Sequence, residues 1–136
     1  MVTAVDTSVL VDVLIKDRAF AETSKAALFR ATSEGSLVIC ETALAEVIPV
    51  LDPSAIPRFL QDWGLIFIPS SQASAFLAGK MYHEFLQRGG KGGRVVPDFL
   101  IAAHAQTHAE RFLARDRGFY RDYFKGLKVW DPFKKS

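Results

Sequence analysis

Cysteine is almost missing from this chain. Cys40 is the only one in 136 residues, so no disulfide can close within it. It sits in Leu37-Val38-Ile39-Cys40 with no base nearby in sequence, which fits a small buried residue better than a nucleophile. Histidine is scarce too, with three in all. His104 and His108 have the i,i+4 spacing that can bind zinc, but no glutamate of the metalloprotease pattern lies between them and no third ligand is near. Together with His83 they read as structural or surface residues. No apolar run is long enough to span a bilayer. The apolar start lacks basic residues before it and is interrupted by Asp6 and Asp12, so no secretory leader is visible. A cytoplasmic protein with no membrane partner is expected. Internal repeats and linkers are also absent.

What is present is enough apolar material for one core. Hydrophobic residues make up 49% of the chain and eleven are phenylalanine, which fits a single domain over residues 1–136. The net charge of +2 hides an asymmetry. Residues 1–62 carry five Lys/Arg against nine Asp/Glu, and residues 63–136 carry twelve against six. A basic half fits a polyanionic partner, and a solvated basic face would look the same.

Short apolar runs alternate with helical patterns. Strands are expected at 2–5, 37–39, 65–68, 111–114 and 128–130. Helices are expected at 8–15 behind a Thr7 or Ser8 cap, 19–33, 41–48, 52–63 behind Asp52-Pro53, 71–87, from Pro97 onward, and as a turn over 118–124. Residues 88–94 (Arg-Gly-Gly-Lys-Gly-Gly-Arg) form the one low-complexity segment, for which a mobile, charged loop is expected. This alternation predicts an α/β fold: a central, mostly parallel sheet flanked by helices on both faces. Ligands of such sheets gather beyond the C-terminal strand ends.

Acids stand at those places. Asp6 directly follows the first strand and Asp116 follows Phe112-Leu113. Asp98 opens a helix just behind Pro97, where unpaired N–H groups and the helix dipole favour a negative charge. Glu46 points away from the buried stripe of its helix, marked by Ala43, Leu44, Val47 and Ile48. Taken singly, each could be a cap or a surface charge. A receiver domain would need an acceptor aspartate after a middle strand, but Cys40 and Pro69 stand there. A phosphatase with an aspartate nucleophile would need an acid where Ser8 is.

The combination is more specific. Val5-Asp6-Thr7-Ser8-Val9-Leu10, Ala43-Leu44-Ala45-Glu46-Val47, Pro97-Asp98-Phe99-Leu100-Ile101-Ala102-Ala103-His104-Ala105 and Arg115-Asp116-Arg117-Gly118-Phe119-Tyr120 resemble, in order and spacing, a PIN-domain ribonuclease. More narrowly, they resemble a VapC toxin of a toxin–antitoxin pair. The resemblance covers nearly the whole chain. It implies four metal-site acids (Asp6, Glu46, Asp98 and Asp116), with the hydroxyls of Ser8 and Thr7 in support. It implies one or two Mg²⁺ ions, with Mn²⁺ as a substitute, and oxygen-only ligands suit such hard cations. The activity it implies is hydrolysis of RNA, with tRNA or ribosomal RNA as the family-level substrate. A VapB-like antitoxin and a homodimer are the implied partners. Arg88, Lys91, Arg94, Arg115, Arg117 and Arg121 could grip RNA phosphates. One departure stands out: the family has Thr or Ser two residues before its fourth acid, where this chain has Ala114. The rival reading is an inactive PIN-like module that binds RNA or protein. The four intact acids argue against it.

Overall fold

A computed structural model of the chain describes residues 1–50, 52–91, 96–115 and 119–134. Asp116, Arg117 and Arg94 lie outside these residues, as does the second half of the glycine-rich segment.

Five strands form one fully parallel sheet: β1 (Val2–Val5), β2 (Ser36–Ile39), β3 (Leu65–Phe67), β4 (Arg111–Leu113) and β5 (Val129–Trp130). Their order is β3-β2-β1-β4-β5, with β1 in the middle. Among the described residues, seven α-helices connect them: α1 (Thr7–Leu14), α2 (Ala21–Glu34), α3 (Glu41–Val47), α4 (Ile56–Trp63), α5 (Gln72–Gln87), α6 (Val96–His108) and α7 (Phe119–Tyr123).

Consecutive residues of the inner strands are buried. Thr3, Ala4 and Val5 of β1, Leu37, Val38 and Ile39 of β2, and Phe112 and Leu113 of β4 are all closed to solvent. Successive side chains of a strand point to opposite faces, so both faces of the sheet are covered. The expectation of helices on both sides is met. At the β3 edge the cover thins, and Ile66 and Phe67 are each 48% exposed.

Element positions follow the sequence closely, with two differences. The cap of α1 is Asp6 itself, not Thr7 or Ser8. Its backbone is extended and its carboxylate accepts the Ser8 N–H. The helix expected from Asp52 to Trp63 is two pieces, a 3₁₀ turn over Pro53–Ala55 capped by Asp52, and then α4. Pro57 is the reason. It has no N–H to donate to the Pro53 carbonyl, so an α-helix cannot run through this segment. The Ile56 N–H bonds that carbonyl instead. Gly64, left-handed at φ 65°, ends α4 and turns the chain into β3.

The core is richest in aromatics beneath α6. Phe99 is fully buried, with the rings of Tyr82, Phe85, Tyr123 and Phe124 all within 5.4–5.7 Å of its own. This packing anchors the helix turn that carries Asp98.

Candidate metal centre

The chain runs outward from β1 through β2 to β3 on one side, then crosses back to β4 on the other. The strand order therefore reverses beside β1, and the crevice of a parallel sheet opens at that point. Val5 and Leu113 are register partners there, and the Asp6 N–H extends the ladder by donating to the Leu113 carbonyl at 2.9 Å. Asp6 is thus fixed at the mouth of the crevice by backbone alone.

A cavity of about 310 Å³ opens here, lined by Asp6, Thr7, Ser8, Val11, Glu46, Asp98, Arg115 and Tyr120. Three of the four expected acids meet in it. They come from the end of β1, the last turn of α3 and the first turn of α6. The expected hydroxyls also hold the acids. Ser8 Oγ donates to Asp6 Oδ2 at 2.6 Å, and Thr7 Oγ1 donates to Glu46 Oε1 at 2.9 Å. Among the described residues Asp6 Oδ1 has a long contact from the Tyr120 hydroxyl, at 3.5 Å. One oxygen of Asp6 is therefore bound tightly and the other is left for a ligand.

Burial pushes the Asp6 carboxyl above the usual carboxylate range. The Ser8 hydroxyl and N–H oppose that rise, and the nearby Glu46 charge adds to it. A cation among these carboxylates would relieve both the burial and the repulsion. Carboxylate and hydroxyl oxygens, with no sulfur or imidazole in the lining, suit a hard divalent ion such as Mg²⁺ or Mn²⁺. Among the described residues no three acids close up into a ready-made ligand cluster. Asp116, the fourth expected acid, lies outside them. Ala114, in place of the family hydroxyl, is fully buried and donates its N–H to the Trp130 carbonyl at 3.1 Å.

Two residues at this site were not singled out from the sequence. Tyr120 is buried against Phe112, their ring centroids 5.1 Å apart, with its hydroxyl toward Asp6. Asp12 is only 2% exposed. It accepts from Ser24 Oγ at 2.9 Å and forms an ion pair with Arg115 at 2.9 Å. The Arg115 guanidinium also lies 4.1 Å from the Phe20 ring centroid, and its buried Nε has no acceptor among the described residues. The sequence does carry a signal for Asp12, a lone charge in the apolar run Val9–Leu14. Nothing local names a partner 103 residues away.

The other cations expected to grip RNA are dispersed. Arg115 lines the acid cavity. Arg88 stacks 4.8 Å from the Tyr123 ring centroid, lies 3.9 Å from Glu84 and lines a different cavity. Arg121 lines a third. Lys91 is exposed. Two of the histidines are tied into the fold: His104 Nε2 donates to the Ile68 carbonyl at 2.7 Å, and His108 Nε2 bonds Ser71 Oγ at 3.0 Å.

A five-stranded parallel sheet with carboxylates gathered at its switch point defines an α/β protein built around an acidic crevice. The PIN domain family matches residues 3–125, and the chain belongs to that family. Among solved structures, VapBC2 from Rickettsia felis bound to a DNA fragment from its promoter is similar at a TM-score of 0.75 and 21% identity, covering 96% of this chain and 100% of that one. DNA-bound VapBC from Salmonella typhimurium is similar at 0.72 and 17%, covering 97% and 98%. VapBC-1 from nontypeable Haemophilus influenzae is similar at 0.71 and 17%, covering 98% and 100%. At these identities the likeness is one of fold. No curated protein sequence matches the chain significantly.

Proposed function

We propose that this chain is a metal-dependent endoribonuclease, the toxin of a VapC-type toxin–antitoxin pair, that hydrolyses phosphodiester bonds in tRNA or ribosomal RNA. The observation that carries the reading is the meeting of Asp6, Glu46 and Asp98, from three distant parts of the chain, in one cavity at the sheet's switch point. These acids, with Asp116, would hold one or two Mg²⁺ or Mn²⁺ ions. Such an ion supplies polarisation of the scissile phosphate and acidification of water. The chain's own residues supply the rest. Ser8 and Thr7 orient Asp6 and Glu46, the packing of Phe99 holds the Asp98 turn in place, and Arg115, steadied by Asp12 and Phe20, offers a cation to a phosphate oxygen.

A VapB-like antitoxin is the partner this reading implies, in the cytoplasm where its RNA substrates are. A cavity of about 570 Å³ between the α1–α2 turn and α4 supports a peptide-binding groove, lined by the apolar Val13, Phe59 and Trp63 and by Lys16, Arg18 and Lys25 alongside Asp17 and Glu22. The implied homodimer would find an apolar face on α5, where Phe76 is 72% exposed beside Ala75 and Gly79.

The test is incubation of the purified, antitoxin-free protein with total tRNA and with ribosomal RNA, comparing Mg²⁺, Mn²⁺ and EDTA. Discrete fragments are expected with either metal and none with EDTA. Asp98→Asn should reduce cleavage about a hundredfold, because the ion that would stabilise the transition-state charge is held less well. Cleavage that survives Asp98→Asn overturns the site assignment. A folded protein that binds RNA and cuts none supports the inactive module instead.

A further inference from the structure

We propose that a second cavity, on the β5 edge of the sheet, binds the phosphates of a single-stranded RNA that enters the acid cavity. The proposal rests on the nuclease reading only for the identity of the polyanion. The cavity, of about 500 Å³, is lined by Arg30, Arg111, Arg121 and Lys134 around Trp130, with Asp131 as the one acid in its wall among the described residues. The guanidinium carbons of Arg111 and Arg30 lie 4.5 and 5.1 Å from the Trp130 ring centroid. Stacking on an indole holds a guanidinium in place while leaving its N–H edge available to oxyanions.

The surrounding acids hold these cations in place. Glu34 Oε1 lies 2.8 Å from Arg111 Nη2 and 3.5 Å from Arg30 Nε, and Arg111 Nε donates to Thr3 Oγ1 at 2.7 Å. The Arg111 hydrogen bond keeps the Glu34 carboxyl below its usual range. Asp131 is buried, accepts the Phe133 N–H at 2.9 Å and lies 3.8 Å from Lys134 Nζ. A merely solvated basic face would need no aromatic ring to fix its charges. Here residues from α2 and β4 converge on the indole of β5.

The two cavities are neighbours. Tyr120 lines the acid cavity and Arg121, the next residue of α7, lines this one. Adjacent helical residues point about 100° apart, so consecutive residues of α7 reach the two cavities. Arg121, expected from the sequence to grip RNA, would do so from this side, on phosphates beyond the scissile one.

Trp63→Phe leaves Trp130 as the only tryptophan and makes its fluorescence a report on this cavity. In EDTA, which withholds the metal that cleavage needs, a single-stranded RNA oligonucleotide should change that fluorescence, and inorganic phosphate alone should not at equal phosphate concentration. In the same background, Arg30→Ala with Lys134→Ala should weaken binding and reduce the slope of log K against log salt by about 1.4, two contacts at about 0.7 each. Circular dichroism checks that the variant is folded. An unchanged affinity and slope overturns the proposal, as does a response to polyglutamate with none to the oligonucleotide. Binding is read here without cleavage. A chain that binds through this cavity and cuts nothing sinks the nuclease reading alone, and a nuclease whose slope is unchanged sinks this proposal alone.

Discussion

Asp6 does two jobs with one carboxylate. Its Oδ2 takes the Ser8 hydroxyl and N–H and so caps α1, while Oδ1 faces the cavity. This is why a residue that reads as an ordinary cap in the sequence is also suited to hold a cation. Asp12 shows the opposite case, a buried charge whose cationic partner among the described residues, Arg115, comes from 103 positions further along the chain. Replacing Asp12 by Ala leaves that guanidinium without its counter-charge. It should destabilise the fold by about 3 kcal/mol, the low end for breaking a buried pair because Arg115 stays partly open to water. Urea denaturation measures it. The Asp12→Ala/Arg115→Ala double variant should lose less than the sum of the two single changes. Additive losses would show that the pair is not coupled.

At the scale of elements, α6 was the most legible part of the chain. Pro97 in its first turn, Asp98 behind it and the small residues after Phe99 all mark one helix start, and α6 indeed begins at Val96. What its buried face touches was not legible. His104 is 1% exposed and ties α6 to the end of β3 through the Ile68 carbonyl. Burial, helped by the neighbouring His108, holds its pKa below the usual histidine value against the pull of that carbonyl and of Glu41. A histidine whose folded pKa lies below its unfolded value of about 6.5 favours unfolding when protonated. Stability should therefore be full above pH 6.5 and fall as the pH drops below it. His104→Gln should flatten that slope, as thermal melts between pH 5 and 8 would show. An equal slope in the variant would place the pH dependence elsewhere. In α4 a rule of local chemistry was present but unread: Pro57 forbids an α-helix running through from Pro53.

At the scale of the molecule, the sheet order brings the acids together. With β1 central and β4 beside it, Asp6 just after β1 and Arg115 just after β4 line one crevice. If that crevice holds a metal, binding must stabilise the folded chain. At a free Mg²⁺ concentration a hundred times its dissociation constant, the gain is about 2.7 kcal/mol. Melting temperatures with Mg²⁺ and with EDTA should differ by several degrees for the parent and not for Asp6→Asn. An equal shift in both would mean that the ion binds elsewhere.

The sequence by itself determined which segments are strands and helices, that the sheet is parallel, and which acids and hydroxyls stand at strand and helix ends. Those features follow from periodicity, caps and proline placement, which act over a few residues. Tertiary structure alone decided that Asp6, Glu46 and Asp98 share one cavity, that Asp12 holds Arg115, and that Arg121 and Arg88 line other cavities. These pairings join residues dozens to more than a hundred positions apart. They depend on strand order and on the direction each side chain leaves its element, and no local pattern encodes either.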